Sequence, residues 1–310
     1  MIKINKIVIT GPTGAVGVAL INEFISKNVE IYAICRVNSK RINNIPKNKL
    51  VHIIECNMDQ YKNLINILPH DIDVFYHFAW DGTYGESRNN SVIQTKNIEY
   101  SMDSVFLAQK LNCKVYIGAG SQSEYGHTNS MKGPFDPCFP DNFYGSAKLA
   151  TSYMTRTYCS QVGIKHIWCR IFSLFGPYDG EYTMIMSSIK KMLNNEECQF
   201  TAGEQIWDYI YSKDAAKAFR LIAEKGVDGS VYCIASGNTR RLKDYINSMH
   251  MLVNNNCKIS FGAIPYYEHQ AMNLVADVSN LKKDTGFEPT YTFEEGIIDL
   301  VGIIKNENNL

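Results

Sequence analysis

Short apolar runs alternate with longer mixed segments along the first half of the chain. The runs Lys6–Thr10, Glu30–Cys35, Val51–Glu55, Asp73–Phe78, Lys114–Ile117 and His166–Ile171 are brief and mostly rich in Val, Ile and Tyr, which predicts strands. Between them, Ala15–Lys27, Tyr61–Leu68, Ile93–Leu111 and Tyr144–Val162 carry the mixed apolar and polar spacing of amphipathic helices. Strand followed by helix, repeated at this interval, predicts an α/β fold. Its expected form is a doubly wound parallel sheet, covered on both faces and joined by right-handed crossovers.

After Ile171 the alternation fades and loops lengthen, as in Phe175–Tyr182. Two later runs, Asp208–Tyr211 and Val231–Ala235, read as returns to the sheet. The organisation expected is a main domain over 1–172, with 206–236 returning to it. Segments 173–205 and 237–310 would form a smaller, sequence-interleaved C-terminal α/β lobe.

Composition narrows the class. The 310 residues are 45% hydrophobic, enough for a packed core, which excludes disordered, collagen-like and coiled-coil chains. Lys+Arg 31 balances Asp+Glu 31, so no electrostatic footprint for nucleic acid or an anionic membrane exists. The opening MIKINKIVITG is too short and too broken by Lys3, Asn5 and Lys6 for a signal peptide, and a cytoplasmic address is expected. Nine scattered cysteines never form C-x-x-C, so they read as reduced, mostly buried small hydrophobes; no metal site is expected.

The first strand runs into Gly11-Pro-Thr13-Gly14-Ala15-Val16-Gly17, and a helix opens directly afterwards. Glycines there allow a sharp turn and close approach of a pyrophosphate, whose charge is favoured at a helix N-terminus. At the end of the second strand stand Cys35 and Arg36, with Lys40 and Arg41 following. A carboxylate at that end would hold the adenosine ribose of NAD, whereas a guanidinium grips the extra phosphate of NADP with paired donors. NADP(H) is favoured, with NAD(H) possible.

The spacing G-x-x-G-x-x-G after a strand resembles the extended short-chain dehydrogenase/reductase superfamily. The resemblance implies that Asn57 and Met58 lie beside the adenine, where the family usually has an acid. It also implies that Phe78, Ala79 and Trp80, after a family-like strand end at His77, border the cofactor.

The strongest chemical signal is Tyr144-Gly-Ser-Ala-Lys148. Positions four apart share one helix face. A phenol titrates near ~10, and a neighbouring ammonium favours its phenolate, so the pair suits proton exchange with a hydroxyl. Ser121 in GAGSQSEYG matches the family's catalytic Ser/Thr, which implies a hydrogen bond to the substrate oxygen. The later stretches Arg170–Pro177, Gly203–Tyr209 and Phe287–Gly296 resemble the nucleotide-sugar epimerase/dehydratase/4-ketoreductase branch in particular. In that branch the C-terminal lobe holds a sugar linked to a nucleoside diphosphate. Ser121, Gln122, Ser123, Ser173, Gln205 and Trp207 are then the candidate substrate contacts.

Dehydratases of this branch carry acids where this chain has Gln122 and Ser123, with Glu124 one position out of register, so dehydration is not expected. Arg36 favours NADPH-dependent reduction of a nucleoside-diphosphate 4-keto-6-deoxysugar over NAD-dependent 4-epimerisation. A non-catalytic NADP(H) sensor is the remote alternative, disfavoured because Tyr144 and Lys148 are both present. The branch's diphosphate arginines are replaced by Trp207 and Tyr267, leaving Lys190, Lys191, Arg240 or Arg241 as substitutes. The resemblance also implies a homodimer through the helices over Ile93–Leu111 and Tyr144–Val162.

Overall fold

The computed structural model describes residues 2–267 and 270–307. The chain runs β1 (Lys6–Thr10), α1 (Ala15–Ile25), β2 (Glu30–Cys35), β3 (Val51–Glu55), β4 (Val74–His77), α2 (Ser91–Lys110), β5 (Val115–Ser121), α3 (Phe143–Val162) and β6 (Lys165–Ile171). It continues through β7 (Ser173–Phe175), α4 (Met184–Leu193), β8 (Cys198–Gln199), β9 (Ile206–Tyr211), α5 (Ser212–Lys225) and β10 (Val231–Ile234). The last elements are β11 (Thr239–Arg241), α6 (Leu242–Val253), β12 (Ile259–Ser260), β13 (Asn273–Leu274), α7 (Ser279–Thr285) and α8 (Phe293–Glu307).

Seven strands form the main sheet in the order β10-β6-β5-β4-β1-β2-β3, all parallel. Strand alternation sends Ile7, Ile9, Ile31 and Tyr76 to one face, against Leu20 and Phe24 of α1 and Phe219 and Ile222 of α5. Val8, Ile34, Phe75 and Tyr116 face the other way, onto Val105 and Leu107 of α2, Leu111 just after it and Cys159 of α3. The strand order reverses between β1 and β4, and the crevice outside the carboxyl ends at that point is where a doubly wound sheet binds its ligand.

Three expectations change. Asp208–Tyr211 does not rejoin the main sheet: β9 pairs with β7, β11 and β13 in a separate four-stranded sheet. An apolar run announces a strand but not its partner, and β7 branches off too soon after β6 to be heard in the sequence. Tyr61–Leu68 is not an α-helix. Its place is taken by consecutive 3-10 turns over Met58–Asn66, which bury Tyr61 and Leu64. Finally, the segment 237–310 is not all lobe, because α7 packs on α5 and β10, and Leu281 and Phe287 join the main core.

The second core gathers Ile185, Ile189 and Met192 of α4, Tyr245, Ile246 and Met249 of α6, and Ile297, Leu300 and Ile304 of α8. All nine cysteines are free thiols, eight of them buried. Among the described residues no helix is long and apolar enough to cross a membrane.

Candidate active site

The phosphate cradle is built by three glycines with different reasons for being there. Gly11 has φ +69°, and a Cβ on it would lie 2.8 Å from the Ala79 nitrogen. On Gly17 a Cβ would sit 2.5 Å from the Gly11 carbonyl oxygen, so this glycine lets α1 close onto the turn. Gly14 meets nothing within 4 Å: its front is open space, beside an α1 N-terminus with no side-chain cap. Open space in front of unsatisfied backbone N–H groups fits a dinucleotide pyrophosphate. Gly11, Gly14, Ala15, Val16 and Gly17 line a 420 Å³ crevice together with Phe78, Trp80, Ser121, Gln122, Tyr144 and Lys148. Cradle and candidate catalytic residues therefore share one space.

A second cavity, of 860 Å³, continues past Gly11 and Thr13 to Arg36, Asn57, Met58, Ala79 and Trp80, with Lys40 and Arg41 on its wall. Asn57 uses its amide oxygen on the Val37 N–H at 3.2 Å, so part of its capacity for an adenine is already engaged. At the end of β4, Ser101 gives its own proton to the Asn97 carbonyl, 2.7 Å away, and accepts from His77 Nε2 at 3.0 Å. His77 Nδ1 then accepts from the Thr10 hydroxyl, whose oxygen takes the Phe78 and Ala79 N–H groups. Burial, with Lys148 nearby, pushes this imidazole down to about 3, so it is neutral and structural.

Asn142 caps α3 by accepting the Gly145 N–H at 2.8 Å, which puts Tyr144 in the first turn. Lys148 is 4% exposed and donates to the Ala119 carbonyl at 2.7 Å, tying α3 to β5. Its burial pulls the ammonium down to about 7. Burial raises the Tyr144 phenol, opposed by Arg88 first and by the Ser121 hydroxyl second. The cation closest to the phenol ring is therefore Arg88, with Cζ 4.4 Å from the centroid, and not Lys148, whose Nζ lies 5.8 Å away. The sequence assigned that task to the lysine. Arg88 lies on the turn Gly85–Asn89, and no spacing in the sequence ties it to Tyr144.

Glu124, the acid out of register, faces inward. It is fully buried, accepts from the Ser121 N–H at 2.8 Å and Trp168 Nε1 at 2.9 Å, and pairs with Arg170 Nε at 2.7 Å. A carboxylate so engaged is an anchor for β5 and β6.

Four candidate substrate contacts, Ser123, Ser173, Gln205 and Trp207, are not on the crevice wall. Ser123 is buried and receives a hydrogen bond from Arg88. Ser173 accepts from Trp207 Nε1 at 2.6 Å, so each occupies the other. Gln205 is 2% exposed and reaches Thr201. Of the candidate cations, Arg240 pairs with Glu294 at 2.6 Å, and Arg241 with Glu204 and Asp244. Lys190, itself paired with Glu181 at 2.9 Å, lines a basin of 1250 Å³ with Arg41, Arg88, Tyr84 and Tyr182. Basin and crevice meet at Gly14, Ala15, Thr83, Arg88 and Asp179.

Fold and site together define a dinucleotide-binding oxidoreductase of the short-chain dehydrogenase/reductase class. The model of the NAD dependent epimerase/dehydratase family matches residues 7–235, and the chain belongs to that family. It is 24% identical over 315 residues to dTDP-4-dehydro-6-deoxyglucose reductase of Escherichia coli, covering 97% of this chain and 98% of that one. CDP-abequose synthase of Salmonella typhimurium is 23% identical over 312 residues, covering 95% and 97%. UDP-N-acetylglucosamine 4-epimerase of Methanobrevibacter ruminantium, solved with UDP-N-acetylmuramic acid, superposes with a TM-score of 0.89 at 23% identity, over 99% and 100%.

Proposed function

We propose that the chain is an NADPH-dependent reductase that turns the C4 carbonyl of a nucleoside-diphosphate 4-keto-6-deoxysugar into a hydroxyl. The observation that carries this reading is one crevice holding Ser121, Tyr144 and Lys148 and opening onto the bare N-terminus of α1. A reduced nicotinamide bound there supplies the hydride. Ser121 and Tyr144 hold the carbonyl oxygen, Tyr144 gives it a proton, and Lys148 holds the nicotinamide ribose. The remaining candidate contacts, Gly11, Thr13, Gly14, Ala15, Val16, Gly17, Arg36, Asn57, Met58, Phe78, Ala79 and Trp80, bind the cofactor.

Reduction is preferred over dehydration because Glu124 is committed to Arg170. It is preferred over epimerisation because Arg36, Lys40 and Arg41 line the far cavity, where a 2′-phosphate would be neutralised. The two relatives named as a reductase and a synthase span nearly the whole chain, which supports the same choice. Arg88 and Lys190 around the basin are suited to the substrate's diphosphate. Exposed Val92 and Phe106 on α2 and Tyr153 and Met154 on α3 support a homodimer through these helices.

The test is a screen of dTDP-, CDP-, GDP- and UDP-linked 4-keto-6-deoxysugars with NADPH and with NADH, preceded by mass spectrometry of small molecules bound to the purified protein. Stoichiometric oxidation of NADPH by one ketosugar is the expected result. Tightly held NAD+ and turnover with no added cofactor would make the chain a 4-epimerase instead.

A further inference from the structure

The geometry points to Arg88 as a positioning residue for proton transfer, holding a fixed positive charge against Tyr144 while standing at the passage by which substrate enters. This deepens the reductase reading and rests on it. The guanidinium lies over the Tyr144 ring at 4.4 Å, and it is not loose there. One arm donates to the Ser123 hydroxyl and another to the Thr83 carbonyl at 3.4 Å. The backbone beneath is held in turn: Gln94 donates to the Gly82 and Ser87 carbonyls at 2.9 and 3.1 Å, and Asn90 caps α2 immediately afterwards. Ser123 belongs to the turn that follows Ser121, so Arg88 bridges the loop before α2 to the Ser121 turn across the face of the phenol.

The groups facing Tyr144 come from four places. Arg88 arrives from the turn before α2, Glu124 and Ser121 from the end of β5 and its turn, Lys148 from α3 itself, and the Trp80 ring edge-on from the loop after β4. Glu124 opposes ionisation of the phenol, but its charge is offset by Arg170. Lys148 gives one of its three N–H groups to the Ala119 carbonyl, and burial weakens its charge. Arg88 is the remaining strong cation, and a guanidinium stays charged at every working pH.

In ketosugar reduction the Tyr144 O–H bond breaks as a hydride and its electron pair reach C4. The proton ends on the C4 oxygen, the ketone is reduced while the cofactor is oxidised, and the phenolate recovers its proton from solvent. A cation over the ring stabilises that phenolate and so makes the phenol a better acid. Arg88 lines crevice and basin alike, so the same residue meets whatever enters.

The test compares wild type, Arg88→Met, Arg88→Lys and Ser123→Ala. The pH profile of kcat is read with NADPH and the ketosugar that wild type reduces. For Arg88→Met the basic limb moves up by about 1 pH unit or more, with a plateau about tenfold lower. Arg88→Lys recovers most of both, and Ser123→Ala shifts the limb in the same direction by less. A substrate-free readout accompanies it: tyrosinate absorbance of each protein minus that of its Tyr144→Phe counterpart, which should place the Tyr144 titration higher without Arg88. An unmoved limb and an unmoved tyrosinate titration, with only KM raised, would overturn the inference and leave Arg88 a substrate contact. If wild type reduces no ketosugar, the reductase reading fails, and the tyrosinate titration still decides the role of Arg88.

Discussion

The Lys148 ammonium sits 3.6 Å from the centroid of the Trp80 indole, inside the ring formed by α3, β5 and the loop after β4. Trp80 is held in turn by its Nε1 donating to Gln94 at 2.8 Å, and its ring meets Tyr144 edge-on at 6.1 Å between centroids. The indole thus fixes both members of the Tyr/Lys pair from the side, a relationship that neither helix spacing nor the family motif contains.

A desolvated cation–π contact is worth about 2 kcal/mol. Trp80→Leu should therefore lower turnover by about tenfold or more and weaken cofactor binding through a displaced Lys148. Trp80→Phe should keep a face for the ammonium and lose less. Steady-state kinetics of the two variants, with cofactor titration by fluorescence, separate these outcomes.

Lys148 also makes stability depend on pH. Its folded pKa is about 7, far below an ordinary lysine, so between roughly pH 7 and pH 10 the unfolded chain binds a proton that the folded chain does not. Stability from this group must then rise with pH across that window, by up to about 1.4 kcal/mol per unit. Denaturant unfolding of the cofactor-free protein at several pH values should show the rise, and its difference from Lys148→Met isolates this group.

Tyr144→Phe removes one oxygen from a side chain that is 9% exposed and leaves the packing of α3 intact. Turnover should fall by about 10²–10⁴, the usual size of a general acid–base contribution, while NADPH affinity stays within a few-fold. Full activity in this variant would remove Tyr144 from the chemistry.

The cradle glycines can be told apart by alanine. Gly17→Ala places a methyl 2.5 Å from the Gly11 oxygen and should destabilise the fold by about 1–3 kcal/mol, as overpacking does. Gly14→Ala meets no protein atom, so melting should be unchanged while cofactor binding weakens, because the methyl occupies the approach to the α1 N-terminus. Thermal melts beside NADPH titrations test both halves.

Glu124→Gln leaves Arg170 buried without its countercharge and should cost about 3 kcal/mol or more in denaturant unfolding. The folded fraction should keep kcat within about tenfold, whereas a general acid would lose 10²–10⁴. A loss of activity without a loss of stability would return Glu124 to the reaction.

Much of this molecule was legible in one dimension because the signals are local. Six apolar runs, the G-x-x-G-x-x-G turn and the four-residue interval from Tyr144 to Lys148 each report on neighbours within a single element, and strand and helix periods are set by the backbone itself. Those fixed the doubly wound sheet and put the cradle at the end of β1. What the chain could not announce depends on contacts between distant segments. The pairing of β9 with β7 rather than with the main sheet is one such case, and the union of Ser173 with Trp207 is another. The placing of Arg88 over a phenol 56 positions later is a third. A hydrogen bond or a buried charge is decided by what arrives from across the fold. Glu124 could thus be read as a displaced acid from its spacing, and only folding, which delivers Arg170 to it, makes it an anchor.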